Sequence, residues 1–257
     1  MSHATAADGT RIRYDSLGKG EPLLLVHGQS LDRTMWDGVA EELADRYRVV
    51  RVDLRGTGES DAPVEAPYST GLLAGDVLAV LDHAGLGRAH VYGFSMGGRV
   101  AQVLAATAPE RVGALVLGAT APGGAREAER PAEAARALRQ GAGSGFTGLL
   151  YTPGWAAEHP EAVAVMVPRN PPRARRRHYE ASLAHDAWDL LPRIQAPTLV
   201  LHGGDDPLTP VVNARLLADR IPGARLRVFP GARHGYLHEA RAEATGAVLA
   251  FLAGHRV

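Results

Sequence analysis

The sequence contains no cysteine, which excludes disulfide bonds, thiolate catalysis and cysteine metal sites. Neither positive nor negative charge is in excess: the chain has 28 lysines and arginines and 28 aspartates and glutamates. Such a chain has no overall field to recruit nucleic acid or an anionic membrane, so we predict neither as a partner. No apolar run approaches the length of a membrane span, and residues 1–20 lack the apolar core of a signal peptide. We therefore expect a soluble, cytoplasmic protein.

Cofactor-binding motifs are also missing. The chain has no P-loop G-x-x-x-x-G-K-[ST] and no early G-x-G-x-x-G that opens a helix. No histidine and carboxylate cluster has the spacing of a metal site. His178 and His185 fall on one predicted helix, where we interpret them as surface residues rather than ligands. The sequence therefore predicts neither a metal ion nor an organic cofactor.

The order of apolar and helix-like segments predicts the fold. After a β-hairpin around Asp8-Gly9, short continuous apolar runs alternate with segments of helical periodicity, as in a mostly parallel sheet flanked by helices. The predicted strands after the hairpin are 22–26, 49–52, 89–92, 112–117, 197–201 and 225–229. The alternation stops at residues 121–188, which are rich in alanine and arginine and contain no strand-like run. We expect a core of residues 1–120 and 189–257, with residues 121–188 as a helical cap inserted after the sixth strand.

A G-x-S-x-G sequence, Gly93 to Gly97, joins one predicted strand to a predicted helix. An apolar run leads into it and a helix-like run leads out, which is the context of a nucleophile elbow. Glycine at both ends removes side chains that would clash in so tight a turn. We therefore expect Ser95 to project beyond the end of the strand. There it lies beside the N-terminus of the next helix, whose free N–H groups can stabilise negative charge that develops during a reaction.

A serine hydroxyl needs a base to remove its proton, and the base needs an acid to hold its tautomer. Asp205 and Asp206 follow a predicted strand, at the sheet edge where the serine is expected. His234 lies in the loop after the last predicted strand, whereas His238 opens the final predicted helix and His255 lies in the tail. The order serine, acid, histidine is that of hydrolases built on a nucleophile elbow. The spacing therefore predicts His234 as the base and one of the two aspartates as the acid.

Hydrolysis through a tetrahedral intermediate needs two backbone N–H groups directed at the oxyanion. Met96, directly after the predicted nucleophile, supplies one, and we expect Gln29, in the loop after strand 22–26, to supply the other. His27 precedes this loop, and we interpret it as a residue that braces the loop rather than one that takes part in the chemistry.

These segments together resemble the α/β-hydrolase superfamily over nearly the whole chain. The matching pieces are His27-Gly28, the run Asp53-Leu-Arg-Gly-Thr-Gly-Glu-Ser60, Gly93 to Gly98, Pro197 to Pro210 and His234. Within the superfamily, the chain is most similar to the branch of 3-oxoadipate enol-lactonases, esterases and cofactor-free haloperoxidases. That closer likeness rests on Met35-Trp36, the run G-F-S-M-G-G and the run L-L-P-R-I-Q-A-P-T-L-V that begins at Leu190.

The resemblance also distinguishes the two aspartates. In the pattern G-x-x-D-x-x-x-P of the relatives, Gly203 and Pro210 bracket Asp206, so the acid is Asp206 and Asp205 is its neighbour. Thr57 departs from the family, which usually has histidine after Arg-Gly, and we expect little effect on the triad. The fold implied is an α/β-hydrolase fold.

The sequence predicts a serine hydrolase that cleaves a small carboxylic ester or lactone through an acyl-enzyme, with Ser95, His234 and Asp206 as the triad. Serine at the elbow argues against epoxide hydrolases and dehalogenases, which use aspartate there. Two alternatives stay open. One is a biosynthetic thioesterase, cyclase or carbon–carbon bond hydrolase that uses the same triad on a small-molecule thioester or related substrate. The other is a non-catalytic ligand-binding receptor. Neither the substrate nor the oligomeric state follows from the sequence.

The predicted cap provides the candidate substrate contacts. We expect its aromatic residues Trp155, Tyr179 and Trp188 to line the pocket, and a roof with few aromatics to enclose a small or medium acyl group. The run Arg173 to Arg177 is interpreted as a solvated helix face. The alternative is that part of this run attracts a carboxylate-bearing substrate.

Overall fold

An eight-stranded sheet crosses the centre of the computed structural model, which describes residues 2–63, 65–140 and 144–257. The strands are β1 (Ser2–Thr5), β2 (Arg11–Leu17), β3 (Pro22–Val26), β4 (Arg48–Val52), β5 (Ala89–Phe94), β6 (Val112–Gly118), β7 (Thr198–Gly203) and β8 (Arg225–Phe229). Their order is β1-β2-β4-β3-β5-β6-β7-β8. The hairpin β1–β2 pairs antiparallel with β4, and the remaining neighbours are parallel. The predicted mostly parallel sheet is therefore confirmed.

Helices cover both faces of this sheet. The described α-helices are α1 (Val39–Ala44), α2 (Thr70–His83), α3 (Met96–Thr107), α4 (Ala132–Gln140), α5 (Ser144–Leu150), α6 (Pro153–Glu158), α7 (Pro160–Val165), α8 (Pro172–Leu183), α9 (Val212–Arg220), α10 (Tyr236–Glu239) and α11 (Arg241–Leu252). None of the helices in the described ranges is both long enough and apolar enough to cross a membrane.

The continuous apolar runs of the sequence are explained by burial on both faces. Along β3, Leu23 and Leu25 belong to one apolar cluster, which also takes in residues of α1 and α11. Leu24 and Val26 belong to the other cluster, with residues of α2, α3 and α9. Because successive strand residues point to opposite faces, a strand covered on both sides needs apolar residues at every position.

The regular structure described between β6 and β7 is mostly helical. Helices α4 to α8 lie within it, and its described extended pairing is a single bridge between Gly123 and Asp186. Residues 141–143 of the predicted cap lie outside the described residues. The division of the chain into a core and a cap stays a prediction.

Parallel strands bring distant parts of the sequence to one edge of the sheet. Strands β5, β7 and β8 run in the same direction, and their carboxyl ends lie at this shared edge. Ser95 follows β5, Asp206 lies in the loop after β7, and His234 lies in the loop after β8. The topology thus places the three predicted catalytic residues on neighbouring loops, in the crevice where open α/β sheets bind ligands.

Candidate active site

Ser95 occupies a strained turn between β5 and α3. Its φ of 54° and ψ of −118° lie in a region that residues other than glycine rarely adopt. The two flanking glycines make this turn possible, because a Cβ at Gly93 would overlap the carbonyl of Gly97, and a Cβ at Gly97 would overlap carbonyls at the end of β3. The Ser95 N–H donates to the Gly118 carbonyl oxygen over 2.8 Å, which ties the turn to β6.

A continuous hydrogen-bonded chain links Ser95, His234 and Asp206. Nε2 of His234 lies 3.0 Å from Oγ of Ser95, and Nδ1 of His234 lies 2.7 Å from Oδ2 of Asp206. The imidazole and the carboxyl group are buried, whereas Ser95 is partly exposed. This is the arrangement in which a carboxylate orients an imidazole that can take the serine proton.

Asp206 is held from several directions. Its Oδ1 accepts hydrogen bonds from the backbone N–H groups of Leu208 and Thr209, both at 2.8 Å. His202, near the end of β7, is fully buried. Its Nε2 donates to the Thr209 carbonyl oxygen over 2.7 Å and also lies 3.3 Å from Oδ2 of Asp206. Sequence reasoning missed His202, because a histidine inside a strand carries no motif. Asp205, by contrast, has an exposed side chain.

The surroundings of Asp206 keep its carboxyl group ionised. Burial by itself raises the pKa of Asp206, since it disfavours the charged form. The attraction of a protonated His234 and the hydrogen bonds from His202 and His234 outweigh burial, and they hold the pKa of this carboxyl well below its usual range. The group can therefore stabilise an imidazolium without taking its proton.

The two predicted oxyanion donors lie beside Ser95. Met96 is the first residue of α3, so its backbone N–H has no partner within the helix. Gln29 lies in the loop after β3 and lines the same cavity as Ser95. Among the described residues, the Gln29 N–H has no hydrogen-bond acceptor. Both groups are free to donate to a substrate oxygen.

The loop that carries Gln29 is braced by His27. This imidazole is fully buried; Nε2 accepts from the Leu54 N–H over 3.0 Å, so the proton is on Nδ1, which donates to the Gly28 carbonyl over 2.8 Å. Burial lowers the pKa of His27, in keeping with this neutral tautomer. Thr57 stands where the family usually has histidine, and its hydroxyl oxygen lies 3.1 Å from Nε2 of His27.

A cavity of about 380 Å³ opens over Ser95 and His234. Its apolar wall is formed by Leu31, Phe94, Leu138, Phe146, Leu150, Met166 and Leu208. Tyr179 of α8 lines it as predicted from the sequence, and so do Arg175 and Arg176, which belong to the arginine run. The guanidinium of Arg176 is largely exposed and pairs with Glu180 over 2.8 Å. That of Arg175 has no ion-pair or hydrogen-bond partner among the residues described.

Two of the predicted substrate contacts lie elsewhere, and these predictions are corrected. Trp155 is not among the cavity residues; it stacks on His159 with ring centroids 4.1 Å apart. The ring centroid of Trp188 lies 5.6 Å from the guanidinium carbon of Arg126 and 5.0 Å from that of Arg220. Each indole packs against a partner in its own neighbourhood, and neither lines the cavity over Ser95.

The interpretation of His178 and His185 as surface residues is wrong. Both are buried, because α8 and the turn after it pack on the rest of the protein. His185 lies beyond the end of α8, with Nδ1 3.0 Å from the Thr70 hydroxyl. His238 does not open the final helix as expected, since it belongs to the short helix α10. Its Nδ1 lies 2.6 Å from the hydroxyl oxygen of Tyr151, within hydrogen-bond distance. Across the described ranges, no group of three or more histidine, aspartate or glutamate residues could hold a metal ion.

Comparisons with known proteins match this architecture. Residues 21–149 match a family model described as the alpha/beta hydrolase fold. A non-heme haloperoxidase of Rhodococcus erythropolis is 33% identical over 256 residues, with 91% of this chain and 93% of the relative covered. A 3-oxoadipate enol-lactonase of Acinetobacter baylyi is 31% identical over 237 residues, with 87% and 86% covered. The structure of a thermophilic esterase from Thermogutta terrifontis, with malate bound, aligns with a TM-score of 0.85 and 31% identity over 98% of both chains.

Proposed function

Because this chain belongs to the α/β-hydrolase family, we propose that it cleaves small carboxylic esters or lactones with Ser95, His234 and Asp206 as its catalytic triad. The chain is an enzyme of this family, which sets aside the non-catalytic receptor considered from the sequence. The observation that carries the proposal is the chain of contacts from Ser95 Oγ to His234 and on to Asp206, at 3.0 Å and 2.7 Å, on the floor of a cavity.

In the first half of the proposed reaction, Oγ of Ser95 attacks the ester carbonyl while Nε2 of His234 takes the hydroxyl proton. Asp206 accepts the Nδ1 hydrogen bond and stabilises the imidazolium. The backbone N–H groups of Gln29 and Met96 bind the oxyanion. His234 then returns the proton to the leaving alkoxide, and the acyl group stays on Ser95.

In the second half, water replaces the alcohol. Nε2 of His234 takes a proton from the water as its oxygen attacks the acyl-enzyme carbonyl. A second oxyanion forms in the same site and collapses, which breaks the bond to Oγ and returns the proton from His234 to Ser95. The products are a carboxylic acid and an alcohol, or a hydroxy acid when the substrate is a lactone.

The size of the cavity supports a small substrate. A volume of about 380 Å³ is near the lower end of ligand pockets, and its wall combines apolar side chains with polar and charged residues such as Arg99, Arg175 and Tyr179. Such a pocket encloses a short acyl chain well, whereas a long-chain acyl group would extend out of it.

A panel of aryl esters, lactones and thioesters tests this proposal. We expect an acyl adduct on Ser95 by intact mass, and kcat/KM that falls by about tenfold or more from butanoyl to dodecanoyl esters, because the longer chain leaves the cavity. Turnover confined to thioesters would favour the thioesterase alternative. No turnover of any panel member, with no phosphonate adduct on Ser95, would contradict the proposed function.

We expect Arg175 to contribute to binding of anionic substrates, since this residue lines the cavity and its guanidinium has no ion-pair or hydrogen-bond partner among the described residues. Arg175→Gln is expected to raise KM for a monoester of a dicarboxylic acid by about three- to tenfold, with little effect on the matched neutral ester. Arg173→Gln is the matched control, because Arg173 lies on the same helix, is exposed and does not line the cavity. If the two variants have equal KM values for the anionic ester, and these values do not depend on salt, the run Arg173 to Arg177 is a solvated helix face with no role in binding.

A further inference from the structure

The loop that carries the proposed oxyanion donor is held by side chains from the segment between β6 and β7. Ser30, directly after Gln29, is buried and has a φ of 59°, which is uncommon for a residue other than glycine. Its N–H donates to Nδ1 of His178 over 3.2 Å. Its carbonyl oxygen accepts from Nδ2 of Asn170 over 2.8 Å. Both backbone polar groups of the strained residue are therefore satisfied from outside the core.

His178 and Asn170 use their remaining polar atoms in the same region. Nε2 of His178 lies 2.8 Å from the carbonyl oxygen of Arg55, to which it donates. Oδ1 of Asn170 accepts from the Gly58 N–H over 2.9 Å, and Nδ2 also lies 3.3 Å from the Leu31 carbonyl oxygen. Each side chain thus bridges the loop after β3 to the loop after β4. Both are buried, so water does not compete for these bonds.

The contact to Ser30 requires an unprotonated imidazole. Nδ1 of His178 accepts a hydrogen bond, and Nε2 donates one, so the ring is the neutral Nε2–H tautomer. Burial lowers the pKa of His178 to about 4, which keeps the ring neutral at neutral pH.

Three successive peptide units of this loop are fixed in orientation. The Gln29 N–H shares a peptide unit with the Gly28 carbonyl, which accepts from His27 and from the Leu31 N–H. The next two units, on either side of Ser30, are those held by His178 and by Asn170. With all three held, the direction of the Gln29 N–H is set before substrate arrives, as an oxyanion donor requires.

We propose that His178 and Asn170 are positioning residues that hold the loop of residues 28–31 so that the Gln29 N–H faces the reacting carbonyl. The inference rests on the proposed function, because it concerns stabilisation of the same oxyanion. It makes the segment between β6 and β7 part of the catalytic apparatus rather than a wall of the pocket alone.

Two substitutions of His178 separate positioning from packing. Asparagine places an acceptor oxygen close to the position of Nδ1, so His178→Asn keeps the bond to Ser30 and loses the one to Arg55. Glutamine places its amide nitrogen close to Nε2, so His178→Gln keeps the bond to Arg55 and leaves the Ser30 N–H unpaired. We expect His178→Gln to lower kcat by about 10- to 100-fold with KM nearly unchanged, and His178→Asn to stay within about threefold of the wild type.

The measurement is kcat for a short aryl ester, normalised to active sites by a phosphonate titration of Ser95, together with the melting temperature. We expect a trifluoromethyl ketone, which forms an oxyanion on Ser95, to lose affinity for His178→Gln in step with kcat. If His178→Gln does not fold, Asn170→Ala tests the same loop and is expected to give the same split between kcat and KM.

The outcomes distinguish the two proposals. Equal loss of kcat in the asparagine and glutamine variants, or wild-type kcat per titrated site in folded His178→Gln and Asn170→Ala, would overturn the positioning role. A wild-type enzyme without ester turnover would instead overturn the proposed function.

Discussion

Replacement of Ser95 by alanine is expected to lower kcat for ester hydrolysis by about 10⁴- to 10⁶-fold. The side chain is the only group at the elbow whose oxygen lies within hydrogen-bond distance of His234 in the described structure. In the proposed mechanism no acyl-enzyme forms without that oxygen, and we expect residual activity to come from the oxyanion donors and from water activated by His234. The measurement is the initial rate with a short aryl ester, over a range of enzyme concentrations that allows residual turnover to be quantified.

The fold of Ser95→Ala serves as the control. The backbone hydrogen bond from Ser95 to Gly118 stabilises the turn, and glycine at positions 93 and 97 leaves room for it. The substitution changes neither feature. We expect the circular dichroism spectrum and melting temperature to stay close to those of the wild type. A folded variant that keeps its kcat within tenfold of the wild type would show that another group is the nucleophile.

The second large effect is expected at Asp206. In Asp206→Asn, the amide oxygen stays with the backbone N–H groups of Leu208 and Thr209, so the NH₂ group faces Nδ1 of His234. That contact favours the tautomer with its proton on Nε2, which cannot accept the proton of Ser95. We expect kcat to fall by about 10³- to 10⁴-fold.

Asp205→Asn is the matched control for this substitution. The two aspartates are adjacent and the chemical change is the same, but the Asp205 side chain is exposed, and it is Asp206 that accepts the hydrogen bond of His234. We expect its kcat to stay within about threefold of the wild type. A larger loss for Asp205→Asn than for Asp206→Asn, measured on the same ester, would show that the assignment of the acid to Asp206 is wrong.

Much of the fold could be predicted because its central strands are buried on both faces. The run Leu23 to Val26 is apolar at every position, and such runs are visible without knowledge of their neighbours. The proximity of Ser95, Asp206 and His234 was predictable for a related reason, since parallel strands place their carboxyl ends at one edge. Motifs that follow strands therefore carry three-dimensional information.

The contacts of α8 could not be predicted, because no local pattern identifies its buried face. His178 follows Arg176 and Arg177 in a strongly basic run, which is typical of an exposed helix, yet its imidazole is fully buried. Of the three aromatic residues predicted to contact the substrate, Tyr179 lines the cavity, whereas Trp155 and Trp188 do not. Residue type alone does not say which way the side chain of Trp155 or Trp188 points.

The bonds from His178 and Asn170 to Ser30 limit how freely this enzyme can be recombined. A chimaera that receives residues 121–188 from another hydrolase acquires a new pocket wall, but it also loses the acceptor and the donor that fix the recipient's own loop. Substrate range and turnover would then change together, even though Ser95, Asp206 and His234 remain untouched. Libraries built by segment exchange would need to graft positions 170 and 178 back before their members could be ranked by specificity.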